Sequence, residues 1–132
     1  MTADQALRAY CLAFAAREAE GLVALFDRAA VYELPFLGHR LVGQGEIRAG
    51  LARAFSLMET CSIEVSDLKS QADTAIAEGR LNAKLHRDRH PIAAPLAMVM
   101  TMSGEKISRL STYLDARPFR LWSDGPIFAA AG

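Results

Sequence analysis

Two hydrophobic periods divide this chain. Up to about Met58 the apolar positions mostly recur every three or four residues, and beyond it they alternate. Leu7, Tyr10, Cys11 and Phe14 form one stripe at helical spacing, which predicts a helix from about Ala3 to Arg17. Glu18 to Gly21 interrupts the stripe, and Leu22, Val23, Leu25 and Phe26 make a second, shorter helix closed by Asp27 and Arg28. Ala30 to Pro35 reads as a strand, and Gly38 to Gly45 as a loop carrying His39. Ile47, Leu51, Phe55 and Met58 then mark a third helix from Glu46, whose carboxylate suits the first turn.

The remaining segments have period two. Ser62 to Lys69, Thr74 to His86, Pro95 to Met102 and Ile107 to Asp115 are predicted strands, separated by short polar or Pro-bounded turns. In the second of these, Leu81, Ala83 and Leu85 share one face, while Arg80, Asn82, Lys84 and His86 share the other. The apolar row is expected to look inward. Helices followed by an antiparallel meander imply an α+β domain with the helices on one face of a curved sheet. No internal repeat or linker divides the 132 residues, so one domain is expected over 1–132, with its core at 7–119 and a tail at 120–132. Trp122, Ile127 and Phe128 in that tail are expected to fold back over the domain or a partner.

Composition narrows the function classes. Hydrophobic residues make up 52% of the chain, enough for a sizeable core or an apolar cavity lining. Fifteen basic and fifteen acidic residues balance, and no concentrated basic face is evident, so a nucleic-acid partner is not expected. No apolar run approaches the length of a membrane span. The first residues lack the basic and apolar regions of a signal peptide. Cys11 and Cys61 suggest neither a disulfide framework nor a metal set. A cytoplasmic protein without metal or cofactor is the expectation.

Several pieces carry a family resemblance. Leu22-Val23-Ala24-Leu25-Phe26 leads into Ala30-Val31-Tyr32-Glu33-Leu34-Pro35. Gly43-Gln44-Gly45-Glu46-Ile47-Arg48 opens the third helix, and Gly104-Glu105-Lys106-Ile107 leads to Tyr113-Leu114-Asp115. In this order they resemble the nuclear transport factor 2-like superfamily, in its SnoaL-like and ketosteroid isomerase-like branch. The resemblance spans about Leu7 to Phe119. It implies a cystatin-like fold: a cone-shaped, curved antiparallel sheet with three N-terminal helices covering its concave face. It also implies a homodimer through the outer sheet face and a pocket for a small apolar molecule. Fold alone does not select among the isomerases, cyclases, hydrolases and binding domains of such a superfamily.

Known chemistries of the branch can be compared position by position. Ketosteroid isomerases place a tyrosine on the first helix, matched here by Tyr10, and a base just before the proline of the first strand. Pro35 matches that proline, but the base position is Leu34, which takes no proton. The oxyanion carboxylate of those enzymes falls near Met98. Limonene epoxide hydrolases hold water with a Tyr and an Asn two apart. Tyr32 and the closing Tyr113-Leu114-Asp115 match, whereas Leu34 replaces the Asn. A cyclase-like enolisation needs only a shaped cavity and one acid or base, for which Asp115 is the candidate, with His39 or Tyr32 as possible helpers. Two readings therefore stand at this stage. One is an apolar-ligand pocket lined by Phe14, Leu34, Phe55, Met98, Met100 and Tyr113. The other is an enzyme using Asp115 as acid/base with Tyr10 and Tyr32 as hydrogen-bonding partners.

Overall fold

The computed structural model describes residues 1–87, 89–115 and 117–119. The expectations for Trp122, Ile127 and Phe128 lie outside them. The chain opens with α1 (Ala3–Ala16), started by a capping box in which the Thr2 hydroxyl and the Gln5 side chain each accept from the other's backbone N–H. It stops at Arg17, a non-glycine residue in the left-handed conformation (φ 55°). That residue is anchored by its guanidinium, which donates to the carbonyl of Met58 at 2.7 Å.

The short α2 (Ala19–Val23) turns the chain into β1 (Phe26–Leu34). A 3-10 turn at Pro35–Leu37 then leads to β2 (His39–Val42), which pairs antiparallel with β1. The segment expected to be a loop is thus a strand. Four residues between glycines carry too little periodicity to announce one, and the pairing with β1 supplies the hydrogen bonds. The helix α3 (Gly43–Leu57) follows, starting three residues before the expected Glu46, with the Glu46 carboxylate accepting from the Val42 N–H at 3.0 Å. Gly50 permits its close approach to the hairpin: a Cβ there would stand 2.6 Å from a Leu41 methyl.

The strands β3 (Met58–Gln71), β4 (Thr74–Leu85), β5 (Pro91–Ser103) and β6 (Lys106–Leu114) form the expected antiparallel meander. The sheet order is β2-β1-β6-β5-β4-β3, and β1 runs parallel to β6. The sheet is therefore mixed rather than purely antiparallel, because α2 and the β1–β2–α3 excursion return the chain to the far edge. It is curved and stays open, with the helices on its concave side. Gly79 marks a point of strand crowding at the β3 bulge: a Cβ there would lie 2.0 Å from the Glu64 carbonyl oxygen.

Burial follows the alternation closely. On β4, Ala75, Ala77, Leu81, Ala83 and Leu85 are buried, and the row of Arg80, Asn82 and Lys84 faces out, as the pattern implies. On β5 the inward row runs Ile92, Ala94, Leu96, Met98, Met100 and Met102. These side chains meet the stripe of α1 and the inner face of α3 in one continuous core.

Candidate functional site

Three elements converge at the inner end of the cone. The stripe of α1 aims Tyr10 at the sheet, the alternation of β1 points Tyr32 and Leu34 inward, and β6 contributes Leu110, Thr112 and Leu114 on its inward face. In the parallel register Tyr32 sits beside Leu110, so Thr112 comes next on the same face. The two tyrosine hydroxyls are 2.8 Å apart and hydrogen-bonded, with both rings fully buried. Around them the lining is apolar: Phe14, Leu34, Ile63, Leu81, Leu96 and Leu114. The space they leave admits the centre of a water-sized sphere over only ≈10 Å³. That is room for about one water molecule.

The electrostatics of this spot come from burial. Desolvation raises the Tyr10 phenol well above its ordinary value of 10.0, and the neighbouring Tyr32 adds to the rise. Burial likewise pushes Tyr32 up to about 12, with hydrogen bonding from Tyr10 and the nearby Thr112 hydroxyl opposing it. The Thr112 Oγ1 is itself buried beside Tyr32. Both phenols are therefore neutral at physiological pH, and they present O–H groups. They do not present a base.

Rings extend the site backwards. Tyr10 lies 5.9 Å from Phe14, 6.3 Å from Phe26 and 6.4 Å from Tyr32, centroid to centroid. Phe55 stands behind Phe14 at 5.3 Å, in the second layer and outside the lining. Met98 and Met100 are wholly buried in the core beside that lining without forming part of it.

Tyr113 and Asp115 are elsewhere. They share the strand face that their spacing implies, but that face is the convex one. Tyr113 packs edge-on against Phe36 at 5.6 Å, and with Pro95, Leu96, Ala97, Asp115 and Arg117 they border a shallow outer groove of about 490 Å³. The Asp115 carboxylate is engaged by its own turn. It accepts from the Arg117 backbone N–H at 3.0 Å, from Nε at 3.0 and 3.1 Å and from Nη2 at 2.7 Å. The structure brings Tyr10 and Tyr32 together and holds Asp115 apart from them.

His39 also differs from its expectation as a loop residue. It lies in β2 opposite Leu34, and its Nε2 is buried without a partner among the described residues. Thr112 was not singled out by the sequence reading, which phased that strand through Tyr113 and Asp115. The signal was present as a lone hydroxyl on the row Leu110, Thr112, Leu114. Among the described residues no group of three or more His, Cys, Asp or Glu could hold a metal ion, and no helix is long and apolar enough to cross a membrane.

Comparison with known proteins agrees with this architecture. A protein with the ketosteroid isomerase-like fold from Catenulispora acidiphila, solved in complex with trimethylamine, superposes with a TM-score of 0.82 at 19% identity, covering 98% of this chain and 100% of that one. A candidate SnoaL-like polyketide cyclase from Shewanella denitrificans gives 0.81 at 13% identity, over 88% and 92% of the two chains. An epoxide hydrolase of M. tuberculosis, similar to the limonene epoxide hydrolases, gives 0.74 at 16% identity, over 86% and 83%. At these identities the likeness is one of fold. Sequence comparison with curated proteins gives no significant match. The model of the SnoaL-like domain matches residues 7–110, most of the described core, and the chain belongs to the SnoaL-like domain family.

Proposed function

We propose that this protein binds a small, uncharged, mostly apolar cyclic molecule in the inner cavity and directs the molecule's one oxygen at the hydroxyls of Tyr10, Tyr32 and Thr112. The observation that carries this reading is the meeting of three hydroxyls at one end of an otherwise apolar lining. A hydrogen-bond donor in such surroundings fixes orientation and selects against ligands that lack a partner for it. Among the described residues no carboxylate or imidazole lines this cavity, so the reading is one of binding rather than acid–base catalysis there. In the structure as it stands the space is nearly filled, and a ring-sized ligand enters by displacing side chains such as Leu34, Ile63 and Leu96. The solved relative holding trimethylamine shows this fold together with a small molecule.

The same proposal places the protein in the cytoplasm as a homodimer through the outer sheet face. Ile76, Ala93, Pro95, Ala97, Val99 and Tyr113 face outward from adjacent strands and make that surface less polar than an ordinary solvated sheet.

A second reading keeps Asp115 as acid/base for a polyketide-like substrate lying in the outer groove against Phe36 and Tyr113. It is supported by the position of Asp115 on that groove. It requires the carboxylate to release Arg117 before taking a proton.

Titration of the protein with cyclohexanone and methylcyclohexane, followed by NMR shifts, tests the first reading. The ketone is expected to perturb Tyr10, Tyr32 and Thr112 and to bind more tightly than the hydrocarbon. Tyr32→Phe should weaken the ketone by roughly 2- to 10-fold, the net worth of one hydrogen bond. Asp115→Asn should leave its affinity unchanged. Shifts confined to Phe36, Tyr113 and Asp115 would overturn the inner-cavity reading in favour of the outer groove.

A further inference from the structure

On the outer face of the sheet most cations have a carboxylate beside them, and Lys84 does not. Arg40 and Arg109 meet Glu33, Lys69 meets Asp67 and Arg80 meets Glu64, at 2.9 to 3.9 Å. Lys84 on β4 faces the same way and is half-buried, yet its ammonium has no carboxylate or other acceptor among the described residues. The strand register surrounds it with small polar and uncharged groups. Thr60 lies opposite it on β3 and Pro91 on β5, and in the next row Asn82 stands between Ser62 and Ala93. Residues directly opposite share a face, and these six border one outer depression of about 590 Å³. The carboxylate one row further on, Glu64, is held by Arg80 and by the Asn82 amide, which donates to its Oε1 at 2.8 Å. The Thr60 and Ser62 hydroxyls have no partner among the described residues.

We propose that this depression binds a small organic carboxylate, with its anionic end on Lys84 and the Thr60 and Ser62 hydroxyls and its apolar body on Pro91 and Ala93. The site is separate from the inner cavity and does not depend on what binds there. A half-buried ammonium gives up part of its hydration, and an anion beside it restores that loss with a charge-assisted hydrogen bond. One cation and neutral donors balance one negative charge. A phosphate dianion would keep an uncompensated charge, because Arg80 is committed to Glu64 and the strand N–H groups to the ladder. Pro91 and Ala93 are small and uncharged, so the space that longer side chains would take is left for the carbon skeleton of a ligand. The depression lies toward the Pro91 end of β5, whereas the dimer face proposed above extends from Ala93 toward Val99 and Ile76 at the other end.

Titration with benzoate, benzamide and inorganic phosphate at fixed ionic strength, followed by amide NMR shifts, tests the site. Benzoate should shift Thr60, Ser62, Asn82 and Lys84. Benzamide has the same shape without the charge and should bind roughly 10-fold or more weakly, the worth of a hydrogen bond to a charged group. Phosphate should also bind more weakly than benzoate. Lys84→Met should lose benzoate affinity by a similar factor, and Lys84→Arg should keep most of it. Benzoate shifts confined to other residues, or equal affinity for benzoate and benzamide, would overturn the site on the wild type alone, whatever the variants do. Phosphate binding as tightly as benzoate would overturn the assignment to an organic carboxylate. Equal losses in Lys84→Met and Lys84→Arg would mean damaged packing and overturn the role of the charge. Sedimentation separates the other possible source of a carboxylate, a second copy of the chain. Lys84→Met should sediment as the wild type does, and a monomeric variant of a dimeric wild type would overturn the small-ligand reading.

Discussion

The two faces of one sheet handle their polar groups in opposite ways. On the concave face hydroxyls are few, neutral and wholly enclosed by apolar side chains. On the convex face charges are frequent, paired and wet: Glu33 meets both Arg40 and Arg109, and Asp115 clasps Arg117. Strand alternation makes the two faces one residue apart, so Leu114 borders the inner cavity while Tyr113 and Asp115 border the outer groove. A carboxylate one position from a cavity is on the other side of the protein from it. Proximity in sequence is therefore a poor guide to shared chemistry in a strand.

The difference should be largest in stability. Phe14 is 2% exposed and Phe36 67% exposed, though both are aromatic and both border a concavity. Phe14→Ala is expected to cost roughly 3–5 kcal/mol in denaturant unfolding, whereas Phe36→Ala should stay within about 0.5 kcal/mol. Comparable losses at the two positions would mean that the outer groove is part of the core and would erase the contrast.

Alkaline titration gives the next largest effect. Unfolded tyrosine releases its proton near pH 10, whereas burial keeps Tyr32 protonated up to about 12 and raises Tyr10 well above 10 as well. Between those values the native chain binds more protons than the unfolded one, so stability is full below about pH 10 and falls as pH rises through the window. For Tyr32 the loss is on the order of 2–3 kcal/mol by pH 12, from its shift of about two units. Tyr32→Phe should remove its share of that slope, measured as alkaline unfolding alongside the phenolate absorbance band. A wild type and variant with identical slopes would show that the pair is not enclosed.

The smallest effect on the folded chain, and the sharpest test of the outer face, comes from Ile76→Arg. Ile76 is half exposed, so the substitution should change single-chain stability by no more than about 0.5 kcal/mol. Sedimentation should nevertheless show the wild type as a dimer and the variant as a monomer. A wild type that sediments as a monomer would remove the dimer from the proposal.

Much of the fold was legible along the chain because burial imposes a period. The stripe of α1, the switch to alternation near Met58 and the inward row Leu81, Ala83, Leu85 all followed from amphipathicity. The β2 strand was not, because four residues cannot display a period and their pairing depends on β1. Nor was the parallel contact of β1 with β6, which joins segments far apart in sequence. The candidate site divides along the same line. Tyr10 and Tyr32 could be found as polar atoms on apolar faces. Phasing β6 needed the sheet, and with it went the choice between Thr112 and Asp115.

By itself, then, the sequence determined which residues share a face, since side-chain direction within a helix or strand is set by local backbone geometry. It also determined that the position before Pro35 is Leu34, which takes no proton. Only the tertiary structure decided which face of β6 is concave. It brought Tyr10 from one helix within 2.8 Å of Tyr32 and placed Thr112 beside them. Those relations depend on sheet curvature and strand register across the whole chain, and no local stretch of sequence specifies either.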